Sequence, residues 1–312
     1  MKCWPDLACF GKILSLPGGE LFYYDSAASG YAAGKISTVT PTVMLIHGLG
    51  DEADTWRHIF PVLAANGYRV IAPDLPGFGR SAGKGRISIS RHCETILELL
   101  SVTKAASAEN PAVIAGNSMG AGIAELAAIK RPGIIQGLIL ISACYPSSVK
   151  TGKGIFLLTL PFIGKKWYRT FRLNHEAAWK SLYPFYSNLD AMNRADKNFL
   201  YERVVARVES LNQERGYIAS LRSMVKFLIV KKRFITNNIK KFSGKILLLW
   251  GENDKIIPKE SASLFRAIHP DAEFYLTAEA GHLPHQEKPA ESAAVMLRFL
   301  QELANHKVAF QV

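Results

Sequence analysis

Four short, continuously apolar segments separated by helical patterns constrain the fold of this 312-residue chain more than any other feature. They span residues 42–47, 69–73, 112–116 and 137–142. A strand covered on both faces carries apolar residues on both sides, so such runs are typical of a parallel sheet packed between helices. The alternation of these strands with helices therefore predicts a doubly wound α/β sheet.

A long helical segment interrupts this alternation. Strand patterns stop after residue 142 and resume only at residues 245–251 and 273–277, and apolar residues recur at helical spacing in between. The sequence therefore predicts an α/β core with an inserted all-helical cap. The core spans residues 1–144 and 244–312, and the cap spans residues 145–243.

The positive charge of the chain is concentrated in the cap. The whole chain carries 38 Lys and Arg against 26 Asp and Glu, a net charge of +12, whereas residues 147–245 alone carry 20 against 6. The core is close to neutral, and no helix-turn-helix, zinc or RNA-binding motif accompanies the excess, so we expect no nucleic-acid partner. A solvated helical surface and a contact with an anionic membrane are both open interpretations of the basic cap.

Composition and cysteine usage exclude several classes of protein. With 48% apolar and 21% charged residues the chain is neither disordered nor fibrous, and no apolar run reaches the roughly 20 residues of a membrane span. The N-terminal residues lack the apolar stretch of a secretory signal. Cys3, Cys9, Cys93 and Cys144 show no metal-binding spacing. We therefore expect a reduced, cytoplasmic protein without a transmembrane segment, and its oligomeric state stays open.

The first residues that carry chemistry follow the third apolar segment. Gly116-Asn117-Ser118-Met119-Gly120 forms a G-x-S-x-G motif between a predicted strand and a predicted helix. A sharp turn there lifts the Ser118 hydroxyl above the end of the strand, at the N-terminus of the helix, where developing negative charge is favoured. The motif predicts that Ser118 is a nucleophile, and a glycine-rich turn with a bystander serine is the alternative.

A serine nucleophile needs an imidazole base, which a carboxylate in turn orients. In a sheet of this kind these groups follow the serine along the chain, each after a strand, in the order serine, acid, histidine. Asp254 lies just past residues 245–251, and His282 lies just past residues 273–277. We therefore predict a catalytic triad of Ser118, Asp254 and His282.

Two other residues compete for the roles of acid and base. Glu252 lies two positions before Asp254 in the same loop, and His285 lies three positions after His282. We expect Asp254 to be the acid because it lies deeper in the loop and an apolar segment anchors it. We expect His285 to be a solvated histidine at the start of a helix.

Acyl transfer also needs two backbone N–H groups that bind the oxyanion. Met119, directly after the nucleophile, is expected to supply one of them. The loop His47-Gly48-Leu49-Gly50 follows the first buried strand, and we expect it to supply the other through Leu49, with Gly48 as the alternative. No metal ion and no organic cofactor is implied.

Taken in order, these motifs resemble those of the α/β-hydrolase fold superfamily, in particular its serine esterase and lipase-like members with a helical cap. The resemblance rests on the motifs at residues 47–50, 74–81, 116–120, 251–254 and 281–284. It implies a mostly parallel eight-stranded sheet flanked by helices, with the cap where the helical insert lies. It also implies that residues 74–81 form a structural loop beside the oxyanion site.

The nucleophile narrows the chemistry that this resemblance implies. Members that open epoxides or remove halides carry aspartate at the centre of the turn between strand and helix, which is called the nucleophile elbow. Ser118 at this position therefore favours hydrolysis of carboxylic esters of apolar acyl or aromatic substrates. The Asn117-Ser118-Met119 segment is also similar to hydrolases that cleave carbon–carbon bonds of ring-cleavage products. Those usually have glycine where this chain has Ala121, and an aromatic residue where it has Leu283. Ester hydrolysis is therefore the favoured function, and carbon–carbon bond hydrolysis is the alternative reaction. A protein of this fold that binds a ligand without turning it over is the non-enzymatic alternative.

One segment of the cap has the composition of a lipid-facing surface. Residues 154–164 are strongly apolar, and Lys165, Lys166, Trp167 and Tyr168 follow them. This pattern indicates cap core and pocket lining, and the alternative is a membrane contact with Trp167 and Tyr168 at the interface. Both interpretations favour an apolar substrate.

Overall fold

The computed structural model of the chain describes residues 2–28, 40–144 and 158–309. Its centre is one sheet of eight strands, which lie side by side in the order β1-β2-β4-β3-β5-β6-β7-β8. The strands are β1 (Gly11–Leu16), β2 (Gly19–Asp25), β3 (Val43–Ile46), β4 (Val70–Pro73), β5 (Ala112–Asn117), β6 (Ile135–Ile141), β7 (Lys245–Gly251) and β8 (Glu273–Thr277).

The sheet is parallel from β4 through β8 and antiparallel at one edge. β3 pairs in parallel with β4 and β5, and β6, β7 and β8 continue in the same direction. The hairpin of β1 and β2 joins β4 in antiparallel orientation. β3, β4 and β5 are buried at every position, as their unbroken apolar sequences predict. The predicted mostly parallel, eight-stranded α/β sheet is therefore confirmed.

Helices cover both faces of the sheet. The helices that pack around the core are α1 (Ile59–Ala65), α2 (Ile89–Val102), α3 (Met119–Lys130), α9 (Ser261–Arg266), α10 (Pro284–Glu287) and α11 (Pro289–Ala309). Successive residues of β5 point to opposite faces: Ile114 packs with α2 and α3, whereas Val113 and Ala115 pack with α1 and α11. Because β3 to β8 run in the same direction, their carboxyl ends lie at one edge of the sheet.

The part of the chain between β6 and β7 that the structure describes, residues 158–243, contains helices and no strand. These helices are α4 (Pro161–Leu173), α5 (His175–Lys180), α6 (Arg194–Glu209), α7 (Leu211–Val230) and α8 (Lys232–Ile239). Ala178, Val204 and Val208 form an apolar cluster of their own within this region. Residues 145–157 lie outside the described residues, so the proposed domain boundaries stay a prediction.

Of the two neighbouring aromatic residues of α4, Tyr168 is buried and Trp167 is partly buried. Tyr168 is buried, and its hydroxyl donates a hydrogen bond to the carbonyl oxygen of Arg207 at 3.1 Å. Trp167 packs edge-on against Phe171, with 4.8 Å between the ring centroids. Tyr168 therefore lies in the core of the helical region, as the first interpretation of this segment predicts, and not at a membrane interface, because α4 turns this side chain toward α6. No helix in the three described ranges is long and apolar enough to cross a bilayer.

Candidate active site

Ser118 lies in a sharp turn between β5 and α3. Its backbone has φ 53° and ψ −112°, a conformation that non-glycine residues rarely adopt. The Ser118 N–H donates to the carbonyl oxygen of Ile141 at 2.9 Å, which holds the turn against β6. Because such geometry costs free energy, it persists only where the surrounding structure enforces it. The turn leaves the half-buried Ser118 side chain at the N-terminus of α3.

The two glycines of the motif are required by the tightness of this turn. A Cβ atom placed on Gly116 would lie 2.3 Å from the carbonyl oxygen of Gly120. A Cβ atom on Gly120 would lie 2.3 Å from the carbonyl oxygen of Ile46 in β3. Both contacts are far inside van der Waals distance and involve backbone atoms that have no room to move. The spacing of the motif is therefore a packing requirement of the elbow.

His282 and Asp254 form a buried pair at the same edge of the sheet. The Nδ1 atom of His282 lies 2.9 Å from Oδ2 of Asp254. The other carboxylate oxygen, Oδ1, accepts hydrogen bonds from the N–H groups of Ile256 and Ile257, each at 2.9 Å. A carboxylate accepts but does not donate, so this network assigns the proton to Nδ1 and leaves the Nε2 lone pair free.

Asn117 connects the elbow to the loop that carries His282. Its side-chain amide donates to the carbonyl oxygens of Ile141 and His282, at 3.3 and 3.2 Å. The N–H of His282 donates in turn to the carbonyl oxygen of Phe185, which precedes α6, at 2.8 Å. Within the described atoms, no hydrogen bond joins the Ser118 hydroxyl to His282. Such a gap is common in ligand-free sites.

The structure separates the two competitors from the buried pair. Glu252 is exposed, and its Oε2 atom accepts from the N–H of Glu279 at 3.3 Å. His285 is fully buried, with Nε2 3.0 Å from the hydroxyl oxygen of Thr55 and its ring 4.5 Å from that of Trp56. Burial lowers the pKa of His285 to about 3. The expectation of a solvated His285 is therefore wrong, because α10 directs this side chain into the core.

The predicted oxyanion loop lies directly against the elbow. A Cβ atom on Gly48 would lie 2.9 Å from the Asn117 side-chain oxygen and 3.6 Å from Cβ of Ser118. His47, which precedes it, accepts a hydrogen bond at Nε2 from the N–H of Leu75 at 2.9 Å. Its proton therefore resides on Nδ1, which donates to the carbonyl oxygen of Gly48 at 2.7 Å. Burial lowers the pKa of His47, so the imidazole is neutral and holds the loop through backbone contacts.

Two residues of the helical region fix the same loop, and the sequence offers no local signal for either. Gln213, in the first turn of α7, is buried and donates from Nε2 to the carbonyl oxygen of Gly50 at 3.1 Å. Arg207 in α6 forms a short ion pair with Asp51 and lies 3.5 Å from the buried Glu52. Burial raises the pKa of Glu52 to about 7. The loop after β3 is therefore held from the cap side as well as from the core.

The loop at residues 74–81 supports this arrangement through buried charge. The Asp74 carboxylate accepts from the N–H of Ala53 at 2.8 Å and from the guanidinium of Arg80 at 2.7 Å. Arg80 also forms an ion pair with Asp54 at 2.7 Å. These contacts tie the segment after β4 to the segment after β3. Among the side chains that the structure describes, no group of three or more His, Cys, Asp or Glu is placed to hold a metal ion.

The chain matches a known protein family. A family model described as the alpha/beta hydrolase fold matches residues 41–289. The hydrolase YugF of Bacillus subtilis is 28% identical over 260 residues, covering 80% of this chain and 85% of that protein. Lipase 1 of Psychrobacter immobilis is 27% identical over 294 residues, covering 90% of this chain and 81% of the lipase.

Solved structures agree on the fold. The crystal structure of a variant of the meta-cleavage product hydrolase CumD superposes with a TM-score of 0.69 at 21% identity, covering 94% of this chain and 98% of that one. At this level of identity the likeness concerns the fold alone. With the family match spanning most of its length, the chain belongs to the α/β-hydrolase fold family.

Proposed function

We propose that this protein is a serine hydrolase that cleaves carboxylic esters of apolar acyl or aromatic substrates through an acyl-enzyme. The observation that carries the proposal is the strained elbow at Ser118, which lies between the Gly48 loop and the segment tied to His282. A positive φ at a serine costs conformational free energy. In nucleophilic catalysis this geometry exposes the serine hydroxyl at the N-terminus of a helix.

The proposed reaction has two halves. Ser118 attacks the acyl carbonyl while Nε2 of His282 takes the hydroxyl proton, and Asp254 holds the imidazole in the tautomer that leaves Nε2 free. The N–H groups of Leu49 and Met119 bind the oxyanion. His282 then protonates the leaving alcohol. Water, deprotonated by the same imidazole, releases the acid and restores Ser118.

An apolar substrate is supported by the surroundings of the proposed base. The ring of Phe185 lies 5.8 Å from that of His282, and the buried Leu283 follows the histidine in the chain. Leu49 and Tyr217 pack at the edge of the core cluster next to the loop. A charged or sugar substrate finds few polar partners among these side chains. The resemblance in sequence to a lipase supports ester hydrolysis as the reaction.

The first experiment tests turnover and nucleophile together. Wild-type protein is expected to hydrolyse p-nitrophenyl esters across a series of rising acyl length and to be labelled at Ser118 by a fluorophosphonate probe. Ser118→Ala is expected to lose both labelling and at least about 10³-fold in kcat while keeping its melting temperature. A folded wild-type protein that is neither labelled nor active would favour a ligand-binding member without turnover.

Carbon–carbon bond hydrolysis is the second candidate. It is favoured by the Gly116–Gly120 elbow sequence, which is similar to that of hydrolases that cleave carbon–carbon bonds of ring-cleavage products. A ring-cleavage dienoate assayed beside the ester series separates the two reactions, since both use Ser118. We expect kcat/KM for the best ester to exceed that for the dienoate.

A further inference from the structure

A basic cleft lies outside the proposed catalytic residues. It is bounded by the turn between β1 and β2, the segment that leads into α2, and the C-terminal half of α7, and its volume is about 570 Å³. One acidic residue, Glu94, lines it. The basic residues that line it are Lys84, Arg86, Arg91, Lys226 and Lys231. The cleft is therefore a local concentration of positive charge drawn from both core and cap.

Most of this charge has no ion-pair partner among the residues that the structure describes. Arg91 lies 3.6 Å from Glu94, which accounts for the single acidic residue. None of the ion pairs in the described ranges involves Lys84, Arg86 or Lys226. With Arg91 paired to Glu94, four positive charges remain around one cleft and repel one another, so the arrangement favours an anionic occupant.

Two serine hydroxyls in the cleft already accept a hydrogen bond from the backbone. Ser88 Oγ accepts from the N–H of Arg91 at 3.2 Å, and Ser223 Oγ accepts from the N–H of Ile89 at 2.9 Å. The oxygen of each serine thus accepts one hydrogen bond from the protein, and its O–H group is left to donate to another acceptor. Three serine hydroxyls, those of Ser88, Ser90 and Ser223, line the cleft beside the basic side chains. Donors of this kind match phosphate oxygens.

An exposed apolar patch adjoins the cleft. Ile229 and Val230 at the end of α7 are 68% and 62% exposed, and Phe234 in α8 is 45% exposed. Val230 also lines the cleft, and the Lys231 ammonium lies 5.4 Å from the centre of the Phe234 ring. A soluble anion accounts for the basic residues but leaves these three apolar side chains in water. A phospholipid accounts for both.

We propose that this cleft binds the phosphate group of an anionic phospholipid, with Ile229, Val230 and Phe234 inserted beside it, and that it docks the protein on an anionic membrane surface. The site uses none of the proposed catalytic residues, so the proposal goes beyond the hydrolase function and does not depend on it. Docking by this surface would bring the protein to a source of apolar esters.

Vesicle sedimentation with the full chain tests the proposal. Wild-type protein is expected to sediment with phosphatidylcholine vesicles that contain phosphatidylglycerol, and not with phosphatidylcholine alone, and added salt is expected to release it. The variant Arg86→Glu, Lys226→Glu, Lys231→Glu is expected to lose about a hundredfold or more in partitioning. The triple variant Ile229→Ser, Val230→Ser, Phe234→Ser is expected to bind more weakly and to lose binding fully at moderate salt.

A matched control separates the cleft from overall charge. Lys12→Glu, Arg131→Glu, Arg266→Glu changes net charge by the same amount at exposed positions of the core. It is expected to bind within about threefold of wild type, and Ser118→Ala is expected to bind like wild type. Equal binding to neutral and anionic vesicles, or equal losses in the two charge variants, would overturn the proposal. The proposal would also be overturned if the protein bound soluble glycerol phosphate through the cleft but did not bind to vesicles.

Discussion

The side-chain amide of Gln213 donates a hydrogen bond to the carbonyl oxygen of Gly50, with 3.1 Å between nitrogen and oxygen. The side-chain oxygen of the same residue accepts from the N–H of Gly79 at 3.0 Å. One buried residue at the start of α7 therefore joins the loop after β3 to the loop after β4. Because Leu49 directly precedes Gly50, the helical region is part of the scaffold of the proposed oxyanion site as well as a cover.

Gln213→Ala is expected to lower kcat about tenfold and to change KM less than twofold, since a loosened loop weakens oxyanion binding more than substrate binding. It should also cost about 1–3 kcal/mol of stability, because two backbone groups lose their partner. Gln136→Ala is the control, since its amide donates to the carbonyl oxygen of Pro111 at 2.6 Å, away from the loop. Equal kcat in the two variants would contradict a positioning role for Gln213.

Asp254→Asn is expected to lower kcat about 10⁴-fold with little change in the fold. The Asn oxygen still accepts from Ile256 and Ile257, so its NH₂ group faces His282 and forces the proton onto Nε2. Steady-state kinetics and circular dichroism check both parts of the expectation. Glu252→Gln, in the same loop but exposed, should stay within about twofold of wild type. Activity that depends on Glu252 instead would reassign the acid.

Gly120→Ala is expected to destabilise the fold by several kcal/mol, because the new Cβ would lie 2.3 Å from the carbonyl oxygen of Ile46. Urea unfolding of the purified variant, or its failure to fold, is the measurement. Gly133→Ala serves as the comparison, since no atom lies within 4 Å of a Cβ built there. That change should move the free energy of unfolding by less than about 1 kcal/mol. Similar stability of the two variants would show that the elbow has more room than its geometry indicates.

Buried histidines predict a loss of stability in acid. Burial lowers the pKa values of His92 and His285 to about 3, whereas both titrate near 6.5 when unfolded. Between these two pKa values the histidines bind a proton in the unfolded state but stay neutral in the folded state. The free energy of unfolding therefore falls as pH drops from about 6.5 toward 3. Each histidine contributes a slope of about 1 kcal/mol per pH unit in that window.

His285→Gln removes one of these groups and keeps a partner for Thr55. The slope of unfolding free energy against pH between 6 and 4.5 should therefore be smaller than in wild type, by about the contribution of one histidine. Urea midpoints and m-values at four pH values give the slopes. The readout is the slope and not the stability itself, because glutamine also repacks the contact with Trp56. An unchanged slope would mean that His285 binds a proton in the folded state.

The sheet and the order of site residues were predictable because both follow from local sequence. Val113, Ile114 and Ala115 are apolar on both faces of β5, which is characteristic of a covered parallel strand. The carboxyl ends of parallel strands meet at one edge, so residues just past those ends are brought together whatever lies between them. Asp254 and His282 could thus be predicted to lie side by side. In the structure Nδ1 of His282 lies 2.9 Å from Oδ2 of Asp254.

The rest depends on contacts that no local pattern encodes. Gln213 lies 163 residues from Gly50, and its role follows only from how α7 packs across the loop. His285 directly follows Pro284, and a polar side chain at that position is typical of an exposed start of a helix. The structure buries it because Thr55 supplies a polar partner and Trp56 an apolar face. Tertiary packing, not propensity, determines both positions.

The hydrogen bond from the His282 N–H to the Phe185 carbonyl oxygen restricts how this molecule can open. Ser187 adds a second attachment, since its N–H donates to the carboxylate of Glu287 in α10 at 2.7 Å. A cap fastened at these points cannot swing outward as a rigid body without pulling the histidine backbone with it. If substrate entered by such a movement, the backbone of the proposed base would be displaced at the same time, so opening at this edge and alignment of His282 are mechanically linked.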